Sequence, residues 1–193
     1  RRAGRQRQCA DAVVDCAFPS AAELPPLYSA LKVQLGKEEL VLEVQQHLDG
    51  ASVRTIAMIT SAVLPFVTAD EVVLVRQYRH AAGGYLIEVP AGKLDRGEAP
   101  EDCARRETEE ETGFRAGRLE KLGAIFTTPG FTDEIIHLYA AYDLVAGDTA
   151  LEPDEVMSTM RVPFAEAVAM VERGKITDAK SVSAILLAAR RRG

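Results

Sequence analysis

Three glutamates, Glu107, Glu110 and Glu111, stand at i, i+3 and i+4 in the stretch Pro100 to Thr112. On a helix their carboxylates share one face. Like charges at those spacings cost about 0.2–0.5 kcal/mol per pair. The face must therefore point into water or be neutralised by cations. Carboxylate oxygens are hard ligands that suit Mg2+, Mn2+ or Ca2+ rather than zinc. Mg2+ characteristically holds one or two carboxylates together with phosphate oxygens. Ions at such a face would bridge a pyrophosphate, polarise its phosphorus and acidify an attacking water. An Arg- and Glu-rich helix is ordinarily a solvated face, so the weight falls on what surrounds these residues.

The helix carries its own boundary signals. Pro100 suits the first turn and Gly113 the C-terminal cap. Before it, Tyr85–Val89 reads as a strand ended by Pro90-Ala91-Gly92, which delivers the loop to the helix. Strands are further expected at Val13–Phe18, Ala30–Leu35, Leu40–Gln46 and Val53–Ile59, separated by turn-rich stretches such as Pro19–Pro26 and Asp49-Gly50. Val63–Val67 and Glu71–Arg76 predict a hairpin around Thr68-Ala69-Asp70. Strands follow at Leu119–Thr127, Ile135–Leu144 and Val156–Val162, and helices at Phe164–Glu172 and Ala179–Arg191. The order after residue 60 predicts an α/β fold with a mixed sheet and helices on its faces. The first 58 residues show no helical pattern and read as all-β.

Bulk properties exclude several classes. A chain of 193 residues holds one medium domain or a domain with a small appendage, and its 47% hydrophobic and 27% charged residues are ordinary for a globular protein. Net charge is −6, with Arg1, Arg2, Arg5 and Arg7 leaving the remainder more acidic still. No nucleic-acid partner is expected, because phosphate backbones need clustered Lys and Arg. Small phosphorylated substrates remain compatible, because bound divalent cations reverse the local sign. No apolar run approaches a membrane span; the longest, Ile56 to Val67, is broken by Thr60, Ser61 and Pro65.

Cys9, Cys16 and Cys103 are odd in number and lack metal-ligand spacing, which fits a reducing interior. A cytoplasmic setting is expected. An organelle is the alternative if the Arg-rich start, which lacks an initiator Met, is the trimmed remnant of a transit peptide.

The spacing extends beyond the three glutamates. Gly92, Glu98, Arg106, Glu107, Glu110, Glu111, Gly113 and Phe114 all match the Nudix box, G-x5-E-x7-R-E-U-x-E-E-x-G-U, filling eight of its nine specified positions in 23 residues. Thr108, where the pattern has an aliphatic residue, is the one departure and predicts slightly softer helix packing. The chain thus resembles Nudix hydrolases, which implies an α/β/α sandwich and a loop–helix–loop site over residues 59–193. By that resemblance Glu107, Glu110, Glu111 and the Ala91 carbonyl are the metal ligands. Arg106 orients the glutamates by charge-assisted hydrogen bonds, and Glu98 fixes the loop or reaches a water on the metal. The implied cofactor is Mg2+, with Mn2+ as the alternative.

Val75-Arg76-Gln77-Tyr78-Arg79, Glu88-Val89-Pro90-Ala91-Gly92, Pro129-Gly130-Phe131-Thr132-Asp133-Glu134 and Asp178-Ala179-Lys180-Ser181 are similar to the ADP-ribose and ADP-sugar pyrophosphatase branch. There, Pro129 marks ADP-ribose specificity; taken alone it is also an ordinary turn residue. Arg76 and Arg79 are phosphate candidates, since guanidinium suits bidentate contact, or strand-end salt bridges. Glu88 joins them as a substrate-side residue. Glu134 is placed near ribose or a water. The family sets a mobile general base in the acidic loop Glu152-Pro153-Asp154-Glu155, where Glu155 is the first choice and Asp154 and Glu152 follow. His137, inside an alternating strand, is read as structural.

The implied activity is Mg2+-dependent cleavage of ADP-ribose or an ADP-sugar to AMP and a sugar phosphate. The alternatives are another nucleotide sugar, such as a UDP-sugar or GDP-mannose, or a module that binds nucleotide sugars without cleaving them.

Residues 8 to 58 resemble a different family. Val13-Val14-Asp15-Cys16-Ala17-Phe18-Pro19, Tyr28-Ser29-Ala30-Leu31-Lys32-Val33, Leu40-Val41-Leu42-Glu43-Val44-Gln45-Gln46-His47-Leu48 and Ser52-Val53-Arg54-Thr55-Ile56-Ala57-Met58 are similar to the start of the ATP synthase β subunit. No G-x-x-x-x-G-K-[ST] loop follows, so no ATPase chemistry is implied. The chain reads as a fusion: an all-β segment over 1–58, then a Nudix domain over 59–193. In the ADP-ribose branch a different N-terminal β segment helps to build a swapped homodimer and part of the adenine pocket. Here that segment is replaced.

Overall fold

Alternation decides the architecture around the site. In a strand spanning Ile59–Thr68, Ala62, Leu64 and Phe66 belong to one buried apolar cluster while Val63 belongs to another. Leu138 and Ala140 divide from Tyr139 and Ala141 in the same way along Ile135–Ala146. Successive side chains leave opposite faces of a strand, so this sheet is buried on both sides. The computed structural model of the protein describes residues 6–10, 13–27, 29–35, 38–57, 59–79, 82–95, 97–129, 134–147 and 157–193.

The chain divides into two compact units, Arg1–Ile59 with Lys93–Glu98 and Phe126–Ile135, and Thr60–Gly92 with Ala99–Ile125 and Ile136–Gly193. The first contains β1 (Gln6–Ala10), β2 (Val13–Ala17), β3 (Ala30–Leu35), β4 (Glu38–Asp49) and β5 (Ser52–Ala57), joined in the order β1-β2-β5-β4-β3 with every neighbouring pair antiparallel. Its buried residues include Cys16, Phe18, Leu31, Val44 and Val53. A 3-10 turn at Ala21–Glu23 interrupts the otherwise all-β run.

The remaining strands are β6 (Ile59–Thr68), β7 (Glu71–Arg79), β8 (Gly84–Glu88), β9 (Ala91–Lys93), β10 (Phe114–Phe126), β11 (Ile135–Ala146) and β12 (Met157–Pro163). They form a mixed seven-stranded sheet in the order β10-β11-β6-β7-β12, with β8 paired to β7 and β9 to β6. The expected hairpin is present, Thr68 facing Glu71 across its turn. Helix α1 (Pro100–Thr112) packs Ala104 onto Val63, Tyr139 and Ala141, while α2 (Phe164–Glu172) and α3 (Ala179–Arg192) place Ala167, Met170, Ala184, Ile185 and Ala188 in the larger cluster with Leu64, Leu74 and Leu138. Helices thus cover both faces, the α/β/α sandwich expected. Among the described residues no helix is long and apolar enough to cross a membrane.

Candidate active site

Helix α1 starts and stops where its residues dictate. Pro100 occupies its first turn, and Gly113 caps it at φ 70°, its N–H donating to Glu109 O at 2.8 Å. A left-handed cap costs glycine nothing sterically. One face of α1 turns inward and buries Cys103, Ala104, Glu107, Thr108, Glu111 and Thr112. Thr108 is fully buried and satisfied, its hydroxyl donating to the Ala104 carbonyl at 2.6 Å. Such back-bonding is the usual resolution for a threonine inside a helix.

The carboxylates occupy distinct environments. Glu107 is 8% exposed and Glu111 4%. Arg106 Nη1 donates to Glu107 Oε1 at 2.6 Å and to Glu110 Oε2 at 2.9 Å, so one guanidinium nitrogen draws two carboxylates together. Glu111 Oε2 accepts the Ala91 N–H at 3.3 Å. The Cys103 thiol donates to the Gly92 carbonyl at 3.4 Å, tying the helix to the same strand end. Gly92 itself lies against Glu107, where a β-carbon would overlap the carboxylate. The start of β9 at Ala91-Gly92 and the inward face of α1 are therefore one assembly.

Among the described residues no three His, Cys, Asp or Glu side chains converge as a ready metal cage. The donor set nevertheless fits a hard divalent cation. Glu107 and Glu110 already converge on one positively charged nitrogen, and an all-oxygen set suits Mg2+ or Mn2+.

A second polar cluster lies at the end of β8. Arg79 Nε and Nη2 donate to the two oxygens of Glu88 at 2.8 and 2.7 Å. Lys180 Nζ donates to Glu88 Oε2 at 2.5 Å and lies 3.0 Å from Asp178 Oδ2. Glu88 is 1% exposed. Burial raises its carboxyl pKa, but the hydrogen bonds and charges of Arg79 and Lys180 outweigh burial and hold it below the ordinary glutamate value. The hydrogen bond to Glu88 correspondingly raises Arg79. Asp178 caps α3, accepting from Ser181 N at 3.0 Å and Ser181 Oγ at 2.5 Å. Ser181 Oγ in turn accepts the Val89 N–H at 2.8 Å.

The other predicted residues are more dispersed. Arg76 is exposed, with its guanidinium 3.8 Å over the Tyr85 ring. In the other unit, Pro129 is exposed, and Glu134 accepts from Thr127 Oγ1 at 2.7 Å. Glu98 accepts the Asp95 N–H at 2.8 Å, bracing its own loop. Glu155, with Glu152 and Asp154, lies outside the described residues. His137 Nδ1 is buried without a hydrogen-bond partner, and burial lowers its pKa.

Sequence reasoning singles out Asp178-Ala179-Lys180-Ser181 but assigns those side chains no role. The Asp-x-x-Ser cap is legible as a helix start. The burial of Lys180 against a residue 92 positions away is not.

Comparison with known proteins gives two family matches. The NUDIX domain model matches residues 58–185. The beta-barrel domain of the ATP synthase alpha/beta family matches residues 12–61. An ADP-ribose pyrophosphatase of Bacillus subtilis (strain 168) is 40% identical over 139 residues, covering 70% of this chain and 75% of that protein. A GDP-mannose pyrophosphatase of Yersinia enterocolitica serotype O:8 is 39% identical over 121 residues, covering 58% and 62%. Among solved structures, that of an ADP compounds hydrolase superposes with a TM-score of 0.64 at 22% identity, over 86% of this chain and 93% of that one, a likeness of fold.

Proposed function

Because the chain belongs to the NUDIX domain family, we propose that it hydrolyses the pyrophosphate bond of ADP-ribose or an ADP-sugar to AMP and a sugar phosphate. The observation that carries this reading is the convergence of Glu107 and Glu110 on Arg106, beside a glycine that leaves room for a carboxylate. The relatives named for ADP-ribose and GDP-mannose support a nucleoside diphosphate joined to a sugar as the substrate class.

Glu107, Glu110 and Glu111, with the Ala91 carbonyl, are the residues that would hold Mg2+, or Mn2+ in its place. When bound, such ions supply Lewis-acid polarisation of the pyrophosphate and acidify water. The chain's own residues do the rest. Arg106 orients two carboxylates by charge-assisted hydrogen bonds, and Glu111 fixes the Ala91 backbone. Glu155 removes the proton from the attacking water, with Asp154 and Glu152 the alternatives. Arg76 is the first phosphate contact. Arg79 is the second phosphate candidate: its Nε and Nη2 hold Glu88, which leaves the Nη1 donors for phosphate. By the family resemblance Pro129 is the candidate for ADP-ribose specificity, and Glu134 the candidate for contacting ribose or a water.

Incubation with ADP-ribose and Mg2+, followed by chromatography, should release AMP, and EDTA should stop it. GDP-mannose run in parallel tests the second reading, favoured by the GDP-mannose relative. Absence of turnover on both, and on UDP-sugars, would establish a binding module instead. The odd number of cysteines, without metal-ligand spacing, supports a cytoplasmic setting, and the acidic net charge supports a small molecule rather than nucleic acid as partner. Light scattering tests whether the chain forms a homodimer with its different N-terminal segment.

A further inference from the structure

Lys180 is placed where helix electrostatics disfavour it. It is the second residue of α3, next to the positive end of the helix dipole. It is also 8% exposed, although lysine is almost never buried unless paired. Its position is made tolerable by Glu88 and Asp178, and with Arg79 the four charges cancel. An arrangement that costs desolvation of an ammonium and a carboxylate calls for a return other than stability, since buried ion pairs are poor stabilisers relative to apolar packing.

The return lies in the backbone that Glu88 begins. Each residue from Glu88 to Gly92 has a polar group tied down. The Glu88 carboxylate meets Lys180 and Arg79; the Val89 N–H donates to Ser181 Oγ. The Pro90 carbonyl accepts the Val63 N–H at 2.9 Å. The Ala91 N–H reaches Glu111, and the Gly92 carbonyl accepts from Cys103. Two of the five ties come from the first turn of α3. That segment is the surface against which Glu107 and Glu111 rest.

Resting on the metal-holding role proposed for the glutamate cluster, we propose that Lys180 is a positioning residue. Through Glu88, and with the Asp178–Ser181 cap, it sets the Glu88–Gly92 segment in register with the carboxylates of α1. It touches neither substrate nor reacting atoms. Glu88 belongs to the same device, because both of its oxygens are engaged within the protein.

The test is Lys180→Met, which keeps length and apolar bulk but removes the charge. Mn2+ binding to the purified protein, followed by electron paramagnetic resonance, should weaken about tenfold, as for other residues that orient metal ligands. With ADP-ribose and Mg2+, kcat should fall by about the same factor while KM stays within about twofold, and Lys180→Arg should recover most of both losses. A merely structural lysine would lower the thermal midpoint while leaving Mn2+ affinity and kcat within about twofold of the parent, and that result overturns the proposal. If Lys180→Met does not fold, Ser181→Ala carries the test by removing the Val89 acceptor without changing charge. It should shift both quantities in the same direction by about threefold or more, and parental values overturn the proposal. A parent protein that turns over no nucleotide sugar defeats the functional reading alone, because the Mn2+ measurement still judges the positioning.

Discussion

Gly92 and Glu107 occupy space that only a glycine lets them share: a β-carbon on Gly92 would fall 1.7 Å from Glu107 Oε1 and 2.0 Å from its Cδ. The first residue of the Nudix box is thus a steric requirement of the glutamate that lies fifteen positions later. Gly92→Ala must push the Glu107 carboxylate aside. A displacement near 1 Å at a reacting centre costs about 100-fold, and overpacking costs about 1–3 kcal/mol of stability. We expect kcat on ADP-ribose to drop by about 100-fold in a protein that still unfolds cooperatively. Parental kcat would show that Glu107 does not need this position.

Glu110→Gln isolates chemistry from folding. Glu110 is partly exposed and pairs with Arg106, which also bonds Glu107. Neutralising it should leave circular dichroism unchanged and lower kcat by on the order of 10²–10³-fold, the scale seen when a transition-state electrostatic contact is removed. A mutant with comparable turnover would remove Glu110 from the metal set.

Glu88 makes stability depend on acid. Its folded pKa lies below the ordinary value, so the folded state favours the ionised form. The network's contribution is complete above the ordinary glutamate range, about 4.3, and is lost as pH falls through the lower folded value. Glu88→Gln leaves Lys180 paired with Asp178 and leaves Arg79 with the weaker attraction of Glu111 and Asp178. At neutral pH it should cost about 3 kcal/mol, the low end for a broken buried pair because Arg79 is 40% exposed. Thermal midpoints of parent and mutant, measured from about pH 7 downward, should converge as pH falls through the depressed folded value of Glu88, below the ordinary glutamate range. A constant gap would place the effect in packing rather than charge.

Thr108→Val tests whether the departure from the box matters. The Thr108 hydroxyl bonds within its own helix, and valine is close to its shape. Stability should change by no more than about 1 kcal/mol, with kcat and KM within about twofold because no ligand is altered. A larger kinetic effect would mean that the buried hydroxyl positions the α1 glutamates.

Much of the scaffold was legible because its signals are local. The helix expected at Pro100 to Thr112 has those bounds, as do the helix at Phe164–Glu172 and the strand at Ala30–Leu35. Strands were underestimated where composition obscured them. β10 runs from Phe114, not Leu119, because Gly117 and Arg118 break the alternation that marks a half-buried strand. β1, in the polar start, was missed because its pairing with β2 fixes it rather than apolar pattern. β9 is three residues with a central glycine, below any propensity signal.

Spacing alone determined which glutamates share one face of α1, since i, i+3 and i+4 lie together on any helix. It also determined the caps at Pro100 and Gly113. Only the tertiary structure decided that Glu107 presses on Gly92, that Arg79 is held by Glu88, and that a lysine from the last helix closes that pair. The lysine and Glu88 stand 92 positions apart, and the two shorter-range contacts depend on how β7, β8, β9 and α1 pack. Their choice rests on which long-range packing buries the apolar faces, and residue spacing carries no trace of it.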